Sequence, residues 1–488
     1  MNEENVLRQL YFINDWWDSG KVPENKLEQF KRRDFHYLKE ALNKPEINAV
    51  VGPRQVGKTT LLYQVIDHLL SVEKVSPSQI LFLNLDNQVI KLNSDNFLED
   101  SLQIYAKNIL KKPLKEADKR LYFFFDEIQT LEDWPLKLKN WVDQKLNMKI
   151  FITGSSSTNI LKGGQESLAG RINPQLILPF KFLEVLRFYY VDKKDKEKLL
   201  NETNWRLREA FKKSFENNDL TEFFERLNEA KKQLIPLEDY IKIYLNEHII
   251  KGGYPGLLKV KKVGECSRLL ENYVQATIYR DVVQLYDIRN VKTLQALITL
   301  IAQDGIRLTS YNKLAAHLMV RVETIESYLE YLKRAFLISE SEFYATNLKV
   351  RQRNPRKIFF HDSGVRNSIL NQVDENLLKD SSEVGLIAET IAYDHAKRLL
   401  FNLGASKDSS LAYWKNDREI DIILELKRTP IPIEVKYAKE VSDKTVSEIE
   451  EFTKNNKSPF GIILTKDTLE KRNEKTMLIP LWLFLVMC

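Results

Sequence analysis

Two groups of residues in this sequence have the types and spacing for chemistry on phosphates. The first lies in VVGPRQVGKTTLL. An apolar run stops at Gly52, loops through Pro53, Arg54, Gln55 and Val56, and restarts at Gly57, Lys58, Thr59 and Thr60. Glycines so spaced let the backbone turn tightly and aim N–H groups at phosphate oxygens. Lys58 offers charge to β- and γ-phosphates, and the Thr59 hydroxyl can ligate Mg²⁺. EINAVV before the loop reads as a buried strand and TTLLYQVIDHLL after it as a helix, so phosphates would meet a helix N-terminus. The second group lies in REIDIILELKRTPIPIEVKYAK. Asp421 sits in one strand, and Glu434 and Lys436 follow thirteen and fifteen residues later in the next. Side-chain alternation turns Glu434 and Lys436 to one face, and Asp421 on the neighbouring strand can face both. Glu389, upstream on a helix, can add a third carboxylate.

The spacing G-x-x-x-x-G-K-T is that of the P-loop, so ATP with Mg²⁺ is the expected ligand pair. Hydrolysis needs more. LYFFFDEIQ is a buried strand ending in two carboxylates, the Walker B pattern. Asp126 would orient Mg²⁺ and Glu127 would polarise the attacking water. Thr153 or Ser155, at the end of the strand KIFITGSSS, would contact the γ-phosphate or that water, or else form a plain strand-to-loop turn. Arg171 is a sensor or arginine-finger candidate, with an ordinary surface arginine as the alternative. Arg280 and Asp281 are weaker candidates of the same kind. In the second group, Asp421 and Glu434 would bind Mg²⁺ or Mn²⁺, which would activate water, and Lys436 would stabilise the anionic transition state. The same residues would equally suit an inactive binding module or a structural salt bridge. His361, Asp394 and His395 read as structural or peripheral.

The elements that must position these residues follow from patterning. Residues 1–45 form a helical lead-in. Residues 46–190 alternate strand-like runs (INAVV, ILFLNLD, LYFFFDE, KIFITGS and QLILPF) with helical ones, which predicts a parallel sheet covered by helices. Residues 191–270 are charged and helical, a solvated lid or insertion. In 271–375, two short helices precede LISESEFYA and RKIFFHD, the outline of a winged helix-turn-helix. Its wing carries Lys349, Arg351, Arg353, Arg356 and Lys357, a basic loop suited to DNA phosphates or simply to solvent. Glu323 and Glu326 at the start of the second helix argue against strong base reading there. Residues 376–488 mix α and β, with IPLWLFLV as a terminal buried strand.

The chain has 488 residues, enough for three or more domains, and a net charge of only +6, which by itself does not argue for nucleic acid. The two cysteines, Cys266 and Cys488, lie far apart without metal-ligand spacing and fit a reduced, cytoplasmic setting. The apolar run MLIPLWLFLVMC is too short to span a bilayer, so no membrane partner is expected.

The stretches GPRQVGKTTLL, FFFDEIQTLEDWPLKLKNWVD, ITGSSSTNILKGGQESLAGRI and LPFKFLEVL, in that order, resemble the bacterial and archaeal AAA-like ATPases with a winged-helix middle and a DUF4143-type C-terminal region. The ordered Asp421, Glu434 and Lys436, with Glu389 on the first helix, resemble the PD-(D/E)XK nucleases. The expected fold class is therefore α/β: an AAA-like P-loop NTPase parallel sheet, a helical lid, a winged helix-turn-helix and a C-terminal α/β restriction-endonuclease-like domain. The expected function is ATP hydrolysis directed at DNA and controlling a metal-dependent nuclease-like domain. The alternatives are a regulatory ATPase switch whose C-terminal domain binds a partner or DNA without cleaving, and a DNA-binding module with vestigial ATPase. The reading admits a homo-oligomer.

Overall fold

The computed structural model describes residues 3–87, 96–131, 133–144, 146–155, 168, 170–304, 307–404 and 409–488. The expected motif segment at 156–167 lies outside these. Backbone contacts divide the chain into two units, Met1–Leu178 with Arg334–Phe336, and Pro179–Lys333 with Leu337–Cys488.

The first unit is built on five strands: β1 (Ile47–Val51), β2 (Ile80–Asn84), β3 (Leu121–Asp126), β4 (Met148–Gly154) and β5 (Ile172–Leu176). They pair in parallel in the order β2-β3-β4-β1-β5. β1 and β3 are buried throughout, as near-continuous apolar runs of a covered parallel sheet must be. Phe124 stacks on Phe151 across β3 and β4, ring centroids 4.9 Å apart. The fifth strand ends at Leu176, short of the apolar LPF expected within it. At the other edge, the Asn14 amide imitates a strand: its Nδ2 donates to Phe82 O (3.0 Å) and its Oδ1 accepts from Phe82 N (2.7 Å). The Trp17 indole donates to Ile80 O (2.9 Å). Because β1, β4 and β3 are neighbours running the same way, their carboxyl ends reach one edge, where open α/β sheets bind ligands.

The second unit joins a helical half to a mixed sheet of eight strands: β6 (Ile338–Phe343), β7 (Lys357–Phe360), β8 (Ser410–Lys415), β9 (Glu419–Leu426), β10 (Thr429–Lys436), β11 (Gly461–Thr465), β12 (Glu470–Lys471) and β13 (Thr476–Pro480). Their order is β12-β13-β11-β10-β9-β8-β6-β7. The expected wing is different in kind. β6 and β7 are an antiparallel pair, but a helix, Leu348–Arg353, stands between them, and β6 also pairs in parallel with β8. The wing strands thus extend the C-terminal sheet across the boundary expected at 375. Burial explains this: every residue of β7 is buried, and Phe359 stacks on Tyr393 of the helix Ser381–Asn402 at 4.0 Å.

The expected lid is helical, but it is docked rather than solvated. Its long helix, Lys194–Asn217, buries Leu200, Leu207 and Phe211 at helical spacing. Asn204 Nδ2 donates to Val486 O (2.8 Å) and Met487 O (2.7 Å). Those carbonyls belong to a C-terminal helix, Leu481–Met487, where a strand was expected. Pro480 ends β13, and a short, wholly buried apolar run has no periodicity to distinguish helix from strand.

Candidate functional site: the phosphate loop and a carboxylate cluster

The loop after β1 has the backbone that its glycines imply. Gly57 adopts φ 93° at the N-cap of the helix Lys58–Ser71, and Gln55 also has positive φ, at 63°. A Cβ on Gly52 would collide with the Ile177 carbonyl. Lys58 is buried, its ammonium held by Gly52 O (2.9 Å) and Pro53 O (2.8 Å). Arg32, from the lead-in, donates to Val56 O (3.3 Å) and Leu178 O (2.9 Å) and so buttresses the loop from behind.

Asp126 ends β3 and is gripped by two hydroxyls. Thr59 Oγ1 donates to Oδ2 at 2.8 Å, and Thr153 Oγ1 donates to Oδ1. Burial and the neighbouring Glu127 charge raise its pKa against the pull of these hydroxyls. Glu127 occupies the left-handed region at φ 57°, a costly conformation for a non-glycine residue. Its N–H donates to Thr153 Oγ1 (3.1 Å). Gln129 Nε2 then bridges Glu127 Oε2 (2.5 Å) and Ser155 Oγ (3.2 Å). Thr153 is therefore fully engaged in positioning the two carboxylates, whereas Ser155 meets them through Gln129. The Thr59 and Asp126 oxygens suit Mg²⁺, a hard cation that prefers such ligands. Arg171 pairs with Asp143 at 2.9 Å, so its described ion pair is away from the loop residues. Arg280 and Asp281 lie in the second unit.

Residues 44–186 match the family model described as AAA domain. The chain carries an AAA-like P-loop ATPase domain, followed by a further C-terminal domain. Beyond the AAA domain, residues 242–376 match a domain of unknown function, DUF8612, and residues 384–484 match another, DUF4143. It is similar to Uncharacterized protein MJ1544 of Methanocaldococcus jannaschii, 26% identical over 456 residues, covering 90% of this chain and 87% of that protein. An uncharacterized protein of Haemophilus influenzae is 24% identical, covering 72% and 73%. Among solved structures, the Walker-type ATPase PABY2304 of Pyrococcus abyssi aligns at 16% identity and TM-score 0.38, over 70% of this chain and 96% of that one. The Aeropyrum pernix ORC1 protein in complex with DNA aligns at 13% identity and TM-score 0.32, over 74% and 96%. Among the described residues, no helix of the chain is long and apolar enough to cross a membrane.

The second constellation does converge. β9 and β10 are antiparallel with Ile422 opposite Ile433, which brings Asp421 to Glu434. Asp421 N donates to Glu434 Oε2 (3.2 Å), Val435 N donates to Asp421 Oδ2 (3.0 Å), and Lys436 Nζ lies 2.5 Å from Glu434 Oε1. Glu389 joins through a residue expected elsewhere. Lys357, assigned by its sequence context to a DNA-facing loop, is 1% exposed. Its ammonium lies 2.8 Å from Glu389 Oε1, 2.7 Å from Glu419 Oε1 and 3.1 Å from Asp421 Oδ1. Burial opposes its charge, but Asp421, Glu389 and Glu419 outweigh it and hold the ammonium well above the usual lysine range. Burial and the Asp421 charge push Glu389 and Glu434 up from the usual carboxylate range, against the pull of Lys357 on the first and Lys436 on the second. The cluster does not fit the divalent ion expected between Asp421 and Glu434. An ammonium already stands against each of them, Lys357 at Asp421 and Lys436 at Glu434, and among the described residues no three acidic, histidine or cysteine groups are arranged to hold a metal.

The other basic candidates divide. Arg351 pairs with Glu425 (3.2 Å) and Arg356 with Glu342 (2.6 Å), while Lys349 and Arg353 are exposed. His361, Asp394 and His395 form a buried polar network. Arg398 Nε donates to Asp394 Oδ2 (2.6 Å), and His361 Nδ1 lies 3.4 Å from Asp394 Oδ1. His395 Nε2 accepts from Phe182 N (2.9 Å), which requires an unprotonated nitrogen there. Sequence reasoning passed over Gln129, Glu419 and the placement of Lys357. The signal for Lys357 was a single cation opening the strand KIFF, on the same face as Phe359.

Proposed function

We propose that this chain is a nucleotide-driven switch: it hydrolyses ATP in its first unit, and its C-terminal domain binds DNA without cutting it. The grip of Thr59 and Thr153 on Asp126 carries the hydrolytic half of the reading. Thr59 and Asp126 would hold Mg²⁺, which would supply charge neutralisation on the β- and γ-phosphates. The loop N–H groups and Lys58 bind the phosphates. Glu127, turned into the site by its left-handed backbone and steadied by Gln129, orients and deprotonates the attacking water. Ser155 reports the γ-phosphate, and Gln129 links it to Glu127. The buried Lys357 supports the non-cleaving half, and the exposed Lys349 and Arg353 support DNA as the ligand.

A second reading, metal-dependent cleavage by Glu389, Asp421, Glu434 and Lys436, is favoured by the direct bond from Asp421 N to Glu434. One pair of assays separates them. ATP turnover should be abolished in Lys58→Ala, while wild-type protein should leave single-stranded, duplex, forked and four-way DNA intact with Mg²⁺ or Mn²⁺. Cleavage lost in Asp421→Ala, Glu434→Ala and Lys436→Ala alike would establish the second reading. ATP turnover persisting in Lys58→Ala would overturn the first.

A further inference from the structure

The carboxylates Glu389, Glu419 and Asp421 surround the Lys357 ammonium at 2.7 to 3.1 Å, ordinary lengths for charge-assisted hydrogen bonds. We propose that Lys357 is the resident cation of this cluster and takes the place of a divalent metal, so that the C-terminal sheet holds its acids together without one. A Mg²⁺ ion would need oxygens at about 2.0–2.1 Å and several retained waters. At Asp421 both oxygens are already engaged, Oδ1 by the Lys357 ammonium and Oδ2 by Val435 N, so the ion would share an oxygen and stand where two positive charges repel strongly.

The lysine cannot simply step aside. It projects from β7, whose residues are all buried, and the next residue on its face, Phe359, is fixed by its stack on Tyr393. Swinging out would break three ion pairs and leave buried carboxylates unpaired, a change that is strongly destabilising. Lys436 does not share this role. It is 45% exposed at the side chain and pairs with Glu434. The cluster is thus two cation–carboxylate groups meeting at Asp421. The inner one is closed by Lys357, and the outer one reaches solvent through Lys436.

The inference rests on the reading of the C-terminal domain as non-cleaving, and it predicts a latent metal site. Nucleotide-free, full-length protein is titrated with Mn²⁺ by calorimetry. Wild type and Asp421→Asn should give the same isotherm, because the cluster takes up no Mn²⁺ in either. Lys357→Met, of similar length but uncharged, should gain one Mn²⁺ equivalent that disappears when Asp421→Asn is added. Its melting temperature should fall below wild type and recover with Mn²⁺, whereas Lys357→Arg should gain no metal. If wild type binds one Mn²⁺ that Asp421→Asn abolishes, the proposal is wrong. It is also wrong if Lys357→Met folds and takes none. Should Lys357→Met fail to fold, the comparison of wild type with Asp421→Asn still decides. ATP turnover of the same samples reports separately on the hydrolytic reading.

Discussion

Lys357 meets Glu389 in the same register in which Phe359 meets Tyr393. Two steps along a strand advance about 6.6 Å, and four along a helix about 6 Å, so the strand and the helix Ser381–Asn402 run past each other nearly in step. The aromatic stack at 4.0 Å therefore sets the reach of the ion pair at 2.8 Å. Phe359→Ala should cost about 3–5 kcal/mol in chemical denaturation. A double-mutant cycle with Tyr393→Leu should return a coupling of about 1 kcal/mol. A coupling of zero would mean that the stack does not fix the register.

Glu127→Gln should retain ATP binding and lower kcat by about 10²–10⁴-fold, since it removes the base but keeps the side-chain shape. Gln129→Ala should lower kcat by about 10–100-fold with little change in KM, because it releases Glu127 without touching the phosphates. Steady-state turnover checks both. A wild-type rate in Glu127→Gln would remove this residue from the mechanism.

Buried histidines set an acid limit on stability. Burial lowers His395 to about 3 and, with the Arg398 charge, lowers His248 to about 4. Their unfolded values lie near 6.5, so below that pH the unfolded chain takes up protons that the fold refuses. Their contribution is complete above pH 6.5 and is lost as pH falls toward 4 and then 3, at up to about 1.4 kcal/mol per pH unit for each ring. Glu389 and Glu434 act in the opposite sense, since their raised values favour the fold at low pH and lose that benefit as pH rises above the ordinary carboxylate range. The histidine share is therefore read as a difference. Relative to wild type, His395→Gln should flatten the pH dependence of unfolding free energy between pH 6 and 4 by about one proton. An unchanged slope would mean that His395 is protonated in the fold.

The basic residues between β6 and β7 should separate by role. Reversing Lys349 and Arg353 to Glu should weaken DNA binding and reduce the log–log salt slope by about 2, since each phosphate contact contributes about 0.9. Arg351→Glu and Arg356→Glu should instead lower the melting temperature, because each places a carboxylate against Glu425 or Glu342. Fluorescence anisotropy across a salt series distinguishes the two classes. Equal slopes in all variants would remove this segment from the interface.

Much of the ATPase site was legible from GPRQVGKTT and FFFDEIQ because its residues lie within a few positions of one another, where backbone geometry acts locally. The pairing of Asp421 with Glu434 was also legible, since the two sit on consecutive antiparallel strands. Lys357 was not. It is 64 residues from Asp421, and only the parallel pairing of β6 with β8 carries β7 into that sheet. Its neighbours Arg353 and Arg356 made it look like part of a basic loop, although it opens the strand KIFF and there shares a face with Phe359. The C-terminal helix failed for another reason. Leu481–Met487 is buried on every side, and such a run has no polar face from which a period can be read.

The Asn14 amide on β2 has a bearing on how this sheet behaves among other chains. A bare edge strand is a template on which a foreign strand can add, and aggregation starts there. At β2, Asn14 and the Trp17 indole already occupy groups on Ile80 and Phe82 that such a strand would need. At the opposite edge, β5 is short, largely exposed and interrupted by Pro174, which has no N–H to offer. A full ladder is thus denied at both margins, at one by a borrowed side chain and at the other by an imino acid. Asn14→Ala should therefore cost more in solubility on refolding than in the melting temperature of the folded protein.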